Sequence, residues 1–395
     1  MSLPEPLPYF PRPDLLAEVT RLLISGANVT LFAPRRQGKT WFVRYELLPA
    51  LHEAGWFAAR VDLWRNRDNP CLGLVEGLEA IAYANPRSAL GMRTPLNLRS
   101  VRGAFNAAGV EIEGQWEPAA PPPNPESSLE NRLASALQII AQKGQHCVLA
   151  LDEFQSLADK SAENFVAAFR TALQDLEGSL SIVFTGSSRD GLTKLFSRSK
   201  APLFRSAISV TLPNLGDDFV DSRADYLEQV ASLNVDRAAL KDLFRELLRV
   251  PLFLNEVVRW MLVKGNASVG EAKKAWIDGK RSDEYSELFA NASDLELGII
   301  FWLARSGQKS VYTEEARALI GKFSTIDPLP AHKVQTCIKR LTKNNVIEAT
   351  GATGEYEIVD QGLQILLDEA LDHAMEVMEA YEVEQKANQV GDADE

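Results

Sequence analysis

Two regimes of hydrophobic patterning divide the chain. Up to about residue 215, short apolar runs alternate with stretches of helical spacing. VTLFA (29–33), WFAARVDLW (56–64), CVLALDEF (147–154), SLSIVFTGSS (179–188) and AISVTLP (207–213) read as buried strands. WFVRYELLPALHEAG, LGLVEGLEAIAYA and 128–143 read as helices between them. Strands apolar on both faces and separated by helices predict an α/β fold with a parallel, doubly wound sheet. From about 216 the strand pattern stops, and helical spacing holds to about 290. Beyond it come SDLELGIIFWLAR, TEEARALIGKF and AHKVQTCIKRLTKNN, three helices, then VIEATGATGEYEIVD, a strand, turn and strand. That order predicts a winged helix-turn-helix. Residues 66–128 are less regular and hold EPAAPPPNPESS, whose prolines exclude a helix or central strand and predict an exposed linker. The expected domains are 1–215 with an insertion at about 66–128, 216–290, 291–365, and an acidic helix and tail over 366–395.

Chemistry enters where the first strand ends. Ala33-Pro34-Arg35-Arg36-Gln37-Gly38-Lys39-Thr40 follows the phosphate-loop pattern G-x-x-x-x-G-K-[ST] at every fixed position except the first, where alanine replaces glycine. Gly38 lets the backbone turn so that successive amides point at phosphate oxygens, and the next helix adds its positive end. Lys39 is expected on the β- and γ-phosphates and Thr40 on Mg²⁺. Pro34, Arg35, Arg36 and Gln37 line the loop, and Trp41 opens the helix. An alanine at position 33 is costly only where the backbone needs positive φ.

Such a loop needs a second strand that delivers carboxylates. VLALDEF places Asp152 and Glu153 at the C-terminal edge of a buried strand, where ligands sit in these sheets. Asp152 is expected in the Mg²⁺ shell through water, and Glu153 as the general base for an attacking water. Ser187, after SIVFTG, is expected to sense the γ-phosphate or that water. Arg205 is expected to act as an arginine finger toward a neighbouring subunit, with Arg189 and Arg198 as rivals.

Together these residues resemble the archaeal-type P-loop ATPases, near the AAA+ and STAND groups, over about residues 8–365. Tyr9-Phe10-Pro11-Arg12-Pro13-Asp14-Leu15 is similar to the segment that precedes the loop in that family. Asp152-Glu153-Phe154-Gln155 and Phe184-Thr185-Gly186-Ser187 match its strand ends. Ala201-Pro202-Leu203-Phe204-Arg205 matches an arginine segment, one residue shorter. Arg249-Val250-Pro251-Leu252 keeps the proline of a G-x-P turn and lacks its glycine. The resemblance implies a P-loop NTPase sheet, a helical lid domain and a winged helix. It implies binding and hydrolysis of ATP with Mg²⁺, slow or partner-stimulated turnover, and oligomerisation. It also places Arg12 and Pro251 beside the nucleotide.

Composition narrows the setting. The chain has 395 residues, 46% hydrophobic and 24% charged, with no apolar run long enough for a membrane helix. MSLPEPLPYFPRPD has neither a basic n-region nor an apolar h-region, so no secretory leader is expected. The three cysteines form no CxxC pair and the four histidines have no metal-ligand spacing. A cytoplasmic protein is the expectation.

The net charge of −12 argues against nucleic acid only if it is read as a whole. Residues 361–395 carry −9 of it. The predicted third helix of the last domain carries Lys333, Lys339, Arg340 and Lys343 away from its packing face of Val334, Cys337, Ile338 and Leu341. Bases so placed suit double-stranded DNA phosphates, although the wing at 351–354 has no Lys or Arg. The expected function is therefore an ATP-driven switch acting on DNA. The alternative is a nucleotide-binding scaffold with little hydrolysis whose winged helix contacts protein.

Overall fold

A computed structural model describes residues 7–83, 85–86, 110–112, 116–117, 126–197, 201–280, 285–305, 309–324, 328–350 and 352–369. The chain divides into two units, one of Pro8–Pro213 and one beginning at Asn214. The elements of the first unit are α1 (Pro13–Ile24), β1 (Val29–Phe32), α2 (Lys39–Phe42), α3 (Leu48–Glu53), β2 (Phe57–Asp62), α4 (Pro70–Ala82), β3 (Asn85–Pro86), β4 (Val110–Ile112), β5 (Trp116–Glu117), α5 (Leu129–Ala141), β6 (Cys147–Asp152), α6 (Glu163–Gln174), β7 (Leu180–Gly186), α7 (Arg189–Phe196) and β8 (Ile208–Thr211).

The sheet runs β4-β2-β6-β7-β1-β8. Five strands are parallel, and β4 joins the edge antiparallel to β2. Alternate residues explain why it is covered on both faces. Val29, Leu31, Ala58, Val148, Ala150 and Val183 pack with Leu15, Val19, Phe42 and Leu47 from α1 and the helix after the loop. Ala59, Val61, Leu149, Leu151, Ile182 and Phe184 pack with Leu78, Leu137 and Phe169 from α4, α5 and α6. A period of two along each strand thus feeds two separate cores, as the doubly wound pattern requires.

Strand order sets the position of the site. β1 does not neighbour β2, its successor in sequence; β7 and β6 lie between them. The chain therefore leaves β1 in one direction and β8 lies on its other side. That reversal opens a crevice beyond the strands' C-terminal ends. The register puts Phe32 opposite Gly186 and Leu151 opposite Phe184. The loop after β1, Ser187 after β7 and the acids closing β6 thus meet at one edge.

The helix after the loop departs from the uninterrupted helix its spacing predicts. A π-helical turn at Val43–Leu47 joins α2 to α3. Pro49, which has no amide hydrogen, follows at the second position of α3 and removes a rung of the ladder there. The widened turn carries Glu46, 9% exposed, inside.

The second unit contains α8 (Asp217–Ala231), α9 (Arg237–Glu246), α10 (Pro251–Lys264), α11 (Val269–Gly279), α12 (Ser286–Asn291), α13 (Asp294–Ala304), α14 (Glu314–Lys322), α15 (Ala331–Lys343), β9 (Ile347–Ala349) and β10 (Tyr356–Ile358), followed by a helix over 361–369. Phe219 of α8 and Phe244 of α9 meet in one core, their ring centroids 5.4 Å apart and their planes tilted by 53°. Ile299, Trp302, Ile320, Val334, Ile338, Leu341, Ile347 and Ile358 build another, shared by α13, α14, α15 and the antiparallel β9–β10 pair. No helix among the described residues is long and apolar enough to cross a membrane. Most of the proline-rich segment, Arg198, Gly351 and residues 370–395 lie outside the described residues.

Candidate functional site

The loop from Ala33 to the start of α2 is held by its own side chains. Gly38 takes a left-handed φ of 95° as it caps α2, and Arg36 another of 67°. Ala33 is not among the positive-φ residues, so alanine stands where glycine is usual without backbone strain. Lys39, 5% exposed, donates from Nζ to the carbonyls of Ala33 at 2.5 Å and Pro34 at 3.0 Å. Burial pushes the Lys39 ammonium below its ordinary pKa, and the nearby Glu153 and Asp152 pull it partly back. Arg35 lies over the Trp64 ring at 4.7 Å.

Arg12 braces this loop from behind. Its guanidinium donates to the carbonyls of Gln37, at 3.0 Å, and Pro213. Its amide donates to Glu46 Oε1 at 2.6 Å, and Tyr9 donates its hydroxyl to the same oxygen at 2.5 Å. Burial, reinforced by Glu46, drives the Tyr9 phenol well above its usual range. Tyr9, Trp41 and Tyr45 form an aromatic group, with Trp41 49% exposed. Arg12 thus contacts backbone that shapes the cradle. The π-turn and Glu46 give no separate signal in the sequence, because a glutamate in a helical pattern reads as a solvated face.

Asp152, 2% exposed, is the most connected group of the site. Its Oδ2 accepts from the Thr40 hydroxyl at 2.8 Å and from Arg60 Nη2 at 2.7 Å. Its Oδ1 accepts from Thr185 and from the Glu153 amide, the latter at 3.1 Å. Burial raises the carboxyl's pKa, but Arg60, Thr185 and Thr40 outweigh it and hold the group ionised below the usual carboxylate range. Glu153 sits at φ 55°. Its Oε2 accepts from Ser187 at 2.8 Å and from the Gln155 amide. Gln155 also reaches Ser187 at 3.3 Å. Room for Gln155 comes from two glycines: a Cβ on Gly186 would lie 2.5 Å from its Oε1, and one on Gly191 2.6 Å from its Cβ.

Lys39, Thr40, Asp152, Glu153 and Ser187 are therefore brought together. Arg60 and its second partner Asp62, at 3.0 Å, join them unforeseen. Their signal was present: an arginine and an aspartate two apart in a buried strand share a face and must find partners. Among the described residues no three His, Cys, Asp or Glu form a metal cluster by themselves. The Thr40 and Asp152 oxygens fit the Mg²⁺ habit of taking one or two protein groups plus phosphate and water.

Other expected residues lie elsewhere. Arg205, at φ 58°, precedes β8 and lines a cavity of about 380 Å³ with Gly26, Asn28 and Arg170. Asn28 lies just before β1, so Arg205 occupies the sheet edge opposite Lys39. Arg189 opens α7 with its guanidinium 4.7 Å from the Phe32 ring. Pro251 opens α10 in the second unit.

Arg340 calls for a correction. It does not project free from α15 toward a phosphate. Its Nε and Nη2 pair with Glu296, which is 2% exposed and also accepts from the Ser293 amide at 2.9 Å. Burial raises the Glu296 pKa, but Ser293 and Arg340 together hold it below the usual range.

No protein-family model and no curated protein matches the chain. Solved structures do. The Walker-type ATPase of Pyrococcus abyssi superposes with a TM-score of 0.58 at 18% identity, over 91% of this chain and 96% of that one. The Aeropyrum pernix ORC2 protein in its ADP form gives 0.51 at 15% identity, over 95% and 97%. The fold is that of an α/β P-loop NTPase. Likeness at such identities concerns the fold alone; the chemistry rests on the crevice described above.

Proposed function

We propose that the chain binds and hydrolyses ATP with Mg²⁺ as an AAA+-type molecular switch. The observation that carries this reading is the convergence of Thr40 on Asp152 beside a buried Lys39, with Glu153 on the adjoining residue. Loop amides and Lys39 hold the β- and γ-phosphates. Thr40 donates its hydroxyl hydrogen bond to Asp152, which leaves its oxygen lone pairs for a metal ion. Thr40 and, through water, Asp152 would hold Mg²⁺, which would supply charge neutralisation on the phosphate oxygens. Glu153 accepts a proton from the attacking water, and Ser187 orients Glu153 and that water. Arg12 acts on the nucleotide from the loop's rear, through the backbone that it braces. Arg205, on the far edge of the sheet, serves a second copy of the chain. The three helices and hairpin over α13–β10 support a winged helix, whose Lys333, Lys339 and Lys343 contact double-stranded DNA. The setting is cytoplasmic.

The specific test is phosphate release from ATP, with and without DNA. Glu153→Gln should lower kcat by about 10²- to 10³-fold with ATP binding retained. Absence of turnover in the wild type under both conditions sinks the hydrolytic part. One observation favours the second reading, a nucleotide-binding scaffold with little hydrolysis. Glu153 Oε2 is already taken by Ser187 and Gln155, so the base is held until something displaces them. Arg340, engaged with Glu296, also leaves α15 fewer bases for DNA than its sequence suggests.

A further inference from the structure

An arginine inside a parallel β-strand needs an explanation. Arg60 is 6% exposed on β2, on the same face as Ala58 and beneath the helix that follows the phosphate loop. Unpaired, a charge there would be strongly destabilising. It is paired twice. Nη2 lies 2.7 Å from Asp152 Oδ2 and 3.0 Å from Asp62 Oδ2, and Nε lies 3.3 Å from Asp152 Oδ2. The register sets Asp62 directly beside Asp152, so one guanidinium bridges two carboxylates on adjacent strands.

The oxygen that Arg60 grips is the one to which Thr40 donates. Thr40 and Asp152 are also the two residues that would hold a divalent ion. Burial lowers the pKa of Arg60, but the two aspartates more than offset this and keep it charged. The pair of carboxylates, −2 alone, is thereby reduced to −1 by a charge that cannot leave. A metal ion approaching the site finds less to neutralise and a fixed cation nearby.

We propose that Arg60 is a resident cation of the metal site, and that nucleotide affinity in this chain consequently depends little on magnesium. The inference rests on the nucleotide-binding reading above and specifies how its charge is balanced. A merely structural arginine would affect folding and would leave the magnesium dependence of binding alone.

The test titrates the full chain calorimetrically with the non-hydrolysable analogue AMP-PNP, once in excess magnesium and once in EDTA. Wild type should show Kd values within about tenfold of each other, equivalent to about 1.4 kcal/mol. Arg60→Lys, which keeps the charge, should stay within that ratio. Arg60→Gln, which keeps hydrogen bonding and loses the charge, should exceed it, with folding verified by its melting transition. A wild-type ratio above tenfold overturns the proposal, and this arm stands even if Arg60→Gln does not fold. So does a folded Arg60→Gln with the wild-type ratio. Failure to bind AMP-PNP in either condition removes the nucleotide reading itself and this inference with it.

Discussion

At the scale of single residues, several buried charges are held by an opposite charge, as Glu79 is by Arg132 and Glu296 by Arg340. Glu296 is the clearest outside the crevice. It caps α13 through Ser293 and pairs with Arg340 on α15. Arg340→Ala would leave a carboxylate at 2% exposure without its cation and should cost about 1–3 kcal/mol of unfolding free energy in a denaturant titration. A cost near zero would mean the pair is incidental. The sign with pH follows from the depressed pKa of Glu296. Its contribution is present above the free glutamate value of about 4.3 and is lost as pH falls through the lower folded value. Between about pH 5 and pH 3, wild type should therefore lose more stability than Glu296→Gln. Equal slopes for the two proteins would contradict this. The same contact spoils Arg340 as a probe of nucleic-acid binding, because its removal acts through folding first.

Much of the crevice was legible at this scale. Lys39, Thr40, Asp152 and Glu153 follow from a loop pattern and from a buried strand ending in two acids. Arg60, Asp62 and Glu46 were not read, for a shared physical reason. Each lies within a run whose periodicity announces an element, and its partner is supplied by the tertiary fold. Asp62 and Asp152 are 90 positions apart, and only the β2–β6 register sets them side by side.

At the scale of elements, the apolar runs at 29–33, 56–64, 147–154, 179–188 and 207–213 each hold a strand, whereas α1 and α7 were not foretold. The order of the strands in the sheet was not legible, because pairing depends on which crossovers bury both faces, a non-local property. The antiparallel β4 and the π-turn before Pro49 were equally hidden. One glycine shows how tight the layers are. A Cβ on Gly77 of α4 would come 2.5 Å from Val61 Cγ1 of β2. Gly77→Ala should thus destabilise by about 1–3 kcal/mol despite alanine's better helix propensity, and Val61→Ala should recover part of it. A stabilised Gly77→Ala would show that helix and sheet are further apart than described.

At the scale of the molecule, the net charge of −12 says little about partners, since −9 belongs to residues 361–395. The informative charge is local. If Lys333, Lys339 and Lys343 of α15 lie against DNA phosphates, log affinity should fall with log salt, and each lysine-to-alanine change should reduce the slope by about 0.9. Binding isotherms at several salt concentrations would show this, and unchanged slopes would turn the surface toward a protein partner.

The placement of Arg205 has a consequence for concentration. β1 spans four residues, about 13 Å of strand, between the edge that carries Arg205 and the edge that carries Lys39. An arginine there is out of reach of its own loop, so any crevice it completes belongs to another copy. Such a contact joins unlike surfaces, and unlike surfaces close only as rings or continue as filaments. A pair would hold one completed crevice and one open one. Turnover per chain would then climb with protein concentration and fall on dilution while every chain remained folded.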